Sequence, residues 1–88
     1  MVLSKTFAAL SDPARQKILE LLKKSDLAAG VIGENFNFTA PTLSHHLSVL
    51  KDADLVSVRR EGQQQIYSLN LSVFEEVAEK VVKFFKKK

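Results

Sequence analysis

The sequence predicts a mainly α fold with a small β-hairpin, in the order α-α-α-α-β-β-α, built to pair with a second copy of itself. Three observations carry this. Residues 40–53 form a helix with a leucine seam and a polar outer face. Residues 55–69 alternate like two strands about a tight turn beside Arg59 and Arg60. Residues 72–86 form a helix apolar around more than half its circumference.

Leu3, Phe7 and Leu10 share one helical face and give a short first helix over residues 3–10. Ser11-Asp12-Pro13 then punctuates. Asp12 can cap the following helix, and Pro13 suits its first position, where no N–H partner is lost. The second helix is expected from Pro13 to Lys24, with Ala14, Ile18, Leu21 and Leu22 inward and Arg15, Lys17, Lys23 and Lys24 outside that stripe. A third helix is expected from Ala28 to Phe36, with Ala29, Ile32 and Phe36 inward and Asn37 ending it in a left-handed conformation. Thr39 caps the fourth helix, Ala40 to Ala53. Two helices joined by a short turn make a helix-turn-helix.

Leu55–Arg60 and Gln64–Leu69 read as paired strands, with Glu61-Gly62 supplying the turn. Tyr67 and Leu69 are expected in the core. Ser72 and Glu75 have capping-box spacing and start the fifth helix. Lys86-Lys87-Lys88 suit the negative end of a helix dipole, or a solvated tail.

The 88 residues make one domain, residues 1–88. A chain of this length buries only ~60% of its unfolded surface, so a lone core is marginal. Without cysteine, disulfides, thiolate metal sites and thiol redox sensing are excluded; the composition fits a reducing cytoplasm. No apolar run approaches the ~20 residues that span a bilayer, and the N-terminus does not resemble a secretion signal. The net charge of +3 is a weak pointer: residues 39–69 carry three basic and three acidic groups, so the direction of charges matters more than their sum.

At 100° per residue, Leu43, Leu47 and Leu50 fall within about 60° of one another and define the buried side of the fourth helix. Pro41, His45 and Ser48 lie opposite, with Thr42 and Ser44 flanking them. His46 falls near the seam and reads as a packing residue with one polar edge satisfied. Hydroxyl and imidazole groups can donate to phosphate oxygens or purine edges, and Ala40 and Pro41 can touch a thymine methyl. A hairpin carrying Arg59, Arg60, Gln63 and Gln64 suits the phosphates or the minor groove. A winged helix-turn-helix that binds double-stranded DNA follows. A winged helix used only to bind another protein remains open, because the region is neutral.

Other chemistries lack their residues. His45 and His46 diverge by 100°, and the positions four away (Pro41, Thr42, Val49 and Leu50) are poor ligands, so no metal is expected. Ser44 and His45 have no orienting third group. Gly30, Gly33 and Gly62 form no phosphate loop. Neither an enzyme nor a cofactor is expected. The fifth helix has one apolar side to spare, and Leu3, Phe7, Leu10, Phe74, Val77, Val81, Phe84 and Phe85 are the expected homodimer interface. Two copies would place their reading helices about 34 Å apart on an inverted-repeat operator.

Ala9-Leu10-Ser11-Asp12-Pro13-Ala14-Arg15 leading into Ile18-Leu19-Glu20-Leu21-Leu22, then Leu43-Ser44-His45-His46-Leu47 and Arg59-Arg60-Glu61-Gly62, resemble the ArsR/SmtB family of repressors. Within it, the Ser-His-His-Leu helix with the Tyr67-Ser68-Leu69-Asn70 exit resembles the SdpR-type autorepressors. The resemblance implies a homodimeric transcriptional repressor released by an effector or sequestered by a partner protein. It puts DNA contacts on Ala40, Pro41, Ser44, His45 and the wing. Metal-sensing relatives use a Cys-x-Cys pair where this chain has Ala28 and Gly30, and others use His and Asp on a fifth helix that here has neither.

Overall fold

Two short helices meet at a corner closed by side chains. In a computed structural model describing residues 2–86, with side-chain surroundings for residues 4–84, helix α1 (Val2–Leu10) is followed by α2 (Pro13–Lys24). The Leu3 and Phe85 side chains, and the lysines at 87 and 88, lie outside the described residues. The Asp12 carboxylate accepts from the N–H groups of Ala14 at 2.7 Å and Arg15 at 3.3 Å, so α2 starts where its capping signal places it. Ile18, Leu19 and Leu22 are its buried residues. Leu19 replaces Leu21, which is only half-buried, because the stripe is rotated from the expected one.

The expected third helix is corrected most. Leu27–Ala28 is a strand, β1, and α3 is only Ala29–Gly33. A further correction follows at its end: Asn37 is not left-handed, and among described non-glycine residues only Asp54 has positive φ. Helix α4 (Ala40–Asp52) is capped by Thr39, whose hydroxyl accepts from the Thr42 N–H. It ends as Asp54 N–H donates to Lys51 O and Leu55 N–H to Leu50 O. That is the Schellman pattern, with Asp54 at φ 60° in the place glycine favours. The Asn70 side-chain amide donates to Asp54 O at 3.0 Å and steadies this turn.

Strands β2 (Val56–Glu61) and β3 (Gln64–Leu69) pair antiparallel, and β1 adds to the other edge of β3, giving order β1-β3-β2. Glu61 opposes Gln64, so the turn is Gly62-Gln63, one residue later than expected. Gly62 at φ 63° takes the first central position, as a two-residue hairpin requires. Helix α5 (Leu71–Lys86) starts one residue before Ser72. Asn70 O accepts from Val73 and Phe74 N–H, and the Ser72 hydroxyl donates to Asn70 Oδ1, which replaces the expected capping box.

The core joins every layer. Ile18, Ile32, Leu50 and Leu55 are fully buried, each contributing roughly 1.5–3 kcal/mol by burial. Tyr67 is buried as expected, and burial raises its phenol pKa. From α5, Val73 and Phe74 pack against this core, while Leu71, Val81, Val82 and Phe84 are exposed.

Candidate nucleic-acid interface

The outer face of α4 is polar, uncharged and open. Ala40, Pro41, Thr42, Ser44, His45 and Ser48 are all exposed, while Leu47 and Leu50 are buried and Leu43 is half-buried. The leucine seam therefore orients the helix as its periodicity predicts. The Thr39 hydroxyl donates to Thr42 Oγ at 3.0 Å, which leaves the Thr42 proton available to an outside acceptor. Gly33 sets the approach of α3, since a Cβ there would stand 2.9 Å from Leu43 Cδ2.

Beneath this face the helix is pinned. His46 is 9% exposed, and its Nδ1 lies 3.1 Å from Arg15 Nη1. The same guanidinium donates through Nε to Ala9 O at 2.9 Å and through Nη2 to Ala8 O at 3.1 Å. Gln16 Nε2 donates to Leu10 O, so side chains of α2 satisfy the last carbonyls of α1. Arg15, expected outside the stripe, is thus a half-buried hub. Single-helix periodicity carries no sign of this role, because the partners belong to two other helices. Burial works to raise the Asp12 carboxyl pKa. The N–H groups of Ala14 and Arg15, with the charge of Arg15, outweigh it and hold the group below its ordinary value.

An aromatic chain continues from His46 through the turn. Its ring lies 5.2 Å from that of Phe38, Phe38 stacks on Phe36 at 4.5 Å, and Lys17 Nζ stands 5.2 Å from the Phe36 centroid. This cation over a ring adds a modest attraction. His45, one step round the helix, points to solvent with its ring 5.8 Å from that of His46.

The wing differs. Arg59, Arg60, Gln63 and Gln64 are exposed as expected, but the Arg59 fork is occupied. Its Nε donates to Glu61 Oε2 at 2.7 Å, and its Nη1 donates to Asp26 Oδ2 at 2.8 Å and Ser68 Oγ at 3.2 Å. The hydrogen bonds from Arg59, then Ser68, lower the Asp26 pKa, and the bonds to Asp26 and Glu61 raise that of Arg59. Among the described residues Arg60 has only a backbone partner, Gly62 O, at 3.3 Å. Asp26 lies 33 residues from Arg59 and is invisible to any local reading.

Of the expected dimer residues, Phe7, Val81 and Phe84 are exposed. Leu10, Phe74 and Val77 are half-buried, and Leu10 and Phe74 also pack on the core. Leu10, Leu19, Leu69, Leu71 and Phe74 line one open groove between α2 and the start of α5.

A capped reading helix after a short turn, followed by a paired hairpin, defines a winged helix-turn-helix domain. A family model described as "Bacterial regulatory protein, arsR family" matches residues 12–58. The transcriptional repressor SdpR of Bacillus subtilis (strain 168) is 45% identical over 85 residues, covering 97% of this chain and 94% of that protein. The chain belongs to the arsR family of bacterial regulatory proteins.

Solved structures agree on the fold. An ArsR-like transcriptional regulator from Rhodococcus sp. RHA1 superposes with TM-score 0.90 at 24% identity, over 98% of this chain and 79% of that one. A homodimeric winged helix-turn-helix DNA-binding domain from Mycobacterium bovis, a possible ArsR-family transcriptional regulator, superposes with TM-score 0.74 at 27% identity. It covers 94% of this chain and 83% of that chain.

Proposed function

We propose that this chain is a sequence-specific DNA-binding transcriptional repressor, working as a homodimer in the cytoplasm on an inverted-repeat operator. The observation that carries the reading is the exposed, uncharged face of α4 set beside the wing in one domain. In this reading Ser44, His45 and Ser48 meet base edges, and Ala40 and Pro41 contact thymine methyls or sugars. Thr42 and Arg60 hold phosphates, with Gln63 and Gln64 at the wing tip. Arg59 joins them by exchanging a carboxylate for a phosphate.

Dimerisation through α1 and α5 is supported by Phe7, Leu71, Val81, Val82 and Phe84, all exposed in the single chain. A similar protein from Mycobacterium bovis is a homodimeric DNA-binding domain, and B. subtilis SdpR is a transcriptional repressor. Such relatives favour gene regulation over a module that binds only proteins.

Selection of bound duplexes from a random pool, followed by sequencing, tests the reading. Two inverted half-sites with centres about one helical turn apart, roughly 34 Å, are expected. A pool that stays unenriched at low salt overturns it.

A further inference from the structure

We propose that His46 is the positioning residue of the reading helix: its unprotonated Nδ1 accepts from Arg15 and latches α4 to the α1–α2 corner, and a proton on that nitrogen opens the latch. Its consequence for DNA rests on the reading above; the latch itself does not.

The chemistry fixes the direction of the bond. An arginine side chain only donates, so at 3.1 Å the facing Nδ1 must be the acceptor, and the neutral ring carries its proton on Nε2. Histidine is the side chain whose ordinary charge change falls between about pH 5 and pH 8. Protonation removes the acceptor and sets a second cation against the guanidinium. Arg15 cannot retreat without leaving Ala8 O and Ala9 O, the last carbonyls of α1. The imidazole cannot swing far either, since it is buried and lies against the Phe38 ring. The proton therefore acts on the α1–α4 contact itself.

Among the described residues, the charged and titratable groups around the ring are Arg15 and Asp12 from the start of α2, and His45 on α4. The turn presents the uncharged Phe38, and α1 presents its carbonyls through Arg15. Asp12 accepts both α2 N–H groups through Oδ1 in the cap.

Nitrogen-edited NMR of the whole chain, followed from about pH 8 to about pH 5, tests this directly. In the wild type, the Arg15 Nε–H signal and the α4 backbone amides should shift together with titration of the His46 ring. In His46→Asn, whose side-chain oxygen can accept at the Nδ1 position without titrating, the Arg15 Nε–H signal should stay constant over that range. Should the asparagine variant fail to fold, the response of the wild-type Arg15 Nε–H signal to the His46 ring decides the latch by itself.

Affinity for the selected duplex should fall at least ~tenfold further in the wild type than in His46→Asn over this range. His45 is present in both proteins, so the difference between their two profiles belongs to His46. A ring that titrates while Arg15 and α4 do not respond overturns the latch. So does a His46→Asn protein that keeps the wild-type pH profile. NMR coupling without DNA binding at any pH would leave the latch standing and defeat the repressor reading instead.

Discussion

The reading helix and the wing both offer polar groups to solvent, but they hold them differently. On α4 the offered groups are neutral, and their aim is set from beneath by Leu47, Leu50 and the His46–Arg15 contact. On the wing the offered groups include two guanidinium cations, and one is neutralised by carboxylates from the hairpin and from the loop before β1. The first arrangement makes position the controlling variable, because a neutral hydroxyl or imidazole gains only at hydrogen-bonding distance. The second makes charge the controlling variable, because any anion that approaches Arg59 would have to displace Asp26 and Glu61.

The largest effect should come from the seam beneath α4. Leu50→Ala removes a fully buried side chain and is expected to destabilise the fold by roughly 2–5 kcal/mol. Denaturant unfolding reads this directly. A loss below about 1 kcal/mol would mean that the helix is not held by its seam.

Next is His45→Ala, which should leave stability unchanged and reduce discrimination between operator and mismatched duplex by about 1–3 kcal/mol. Intact discrimination would move base reading away from this residue and weaken the contrast with the wing.

Arg60→Ala should weaken binding to every sequence alike and reduce the slope of affinity against salt by about one unit, the mark of one phosphate contact. Arg59→Ala should have a smaller slope effect, because its fork starts engaged. Asp26→Asn should act in the opposite direction. By freeing half that fork it should tighten binding at low salt and steepen the slope. Equal losses for Arg59→Ala and Arg60→Ala, with no gain for Asp26→Asn, would erase the distinction between the two arginines.

The smallest effect is on pH dependence of stability. Asp26 has a lowered pKa in the folded chain, caused first by its hydrogen bond from Arg59. Its contribution is therefore present above the ordinary carboxylate value of 3.8 and lost as pH falls through the lower folded value. Wild type should be the more stable of the two above that value, and wild type and Asp26→Asn should converge only at that acid end, well below the range in which the His46 latch is tested.

Local signals in the chain were sufficient where a helix carried its own boundary. Asp12-Pro13 started α2, Thr39 capped α4, and the leucine spacing placed all the proposed α4 contact residues on the exposed face. The strands β2 and β3 were legible for the same reason, since a two-residue turn next to alternating residues is a local pattern. Failures occurred where the deciding partner was remote. Leu27 and Ala28 look like the entrance to a helix, and become a strand because Tyr67 and Ile66 offer an open edge. Asn37 and Asp54 are both plausible left-handed residues. Only the second ends a helix whose next residue, Leu55, must turn into the core.

By itself, then, the amino-acid order determined the helices with their own caps, the hairpin, the orientation of the reading helix and the family, because each rests on spacings of a few residues. Tertiary structure decided the third strand, the engagement of Arg59 and the seating of His46 on Arg15. Those depend on groups brought together across 31 to 40 residues of chain, and periodicity along one helix or strand carries no record of what will lie opposite.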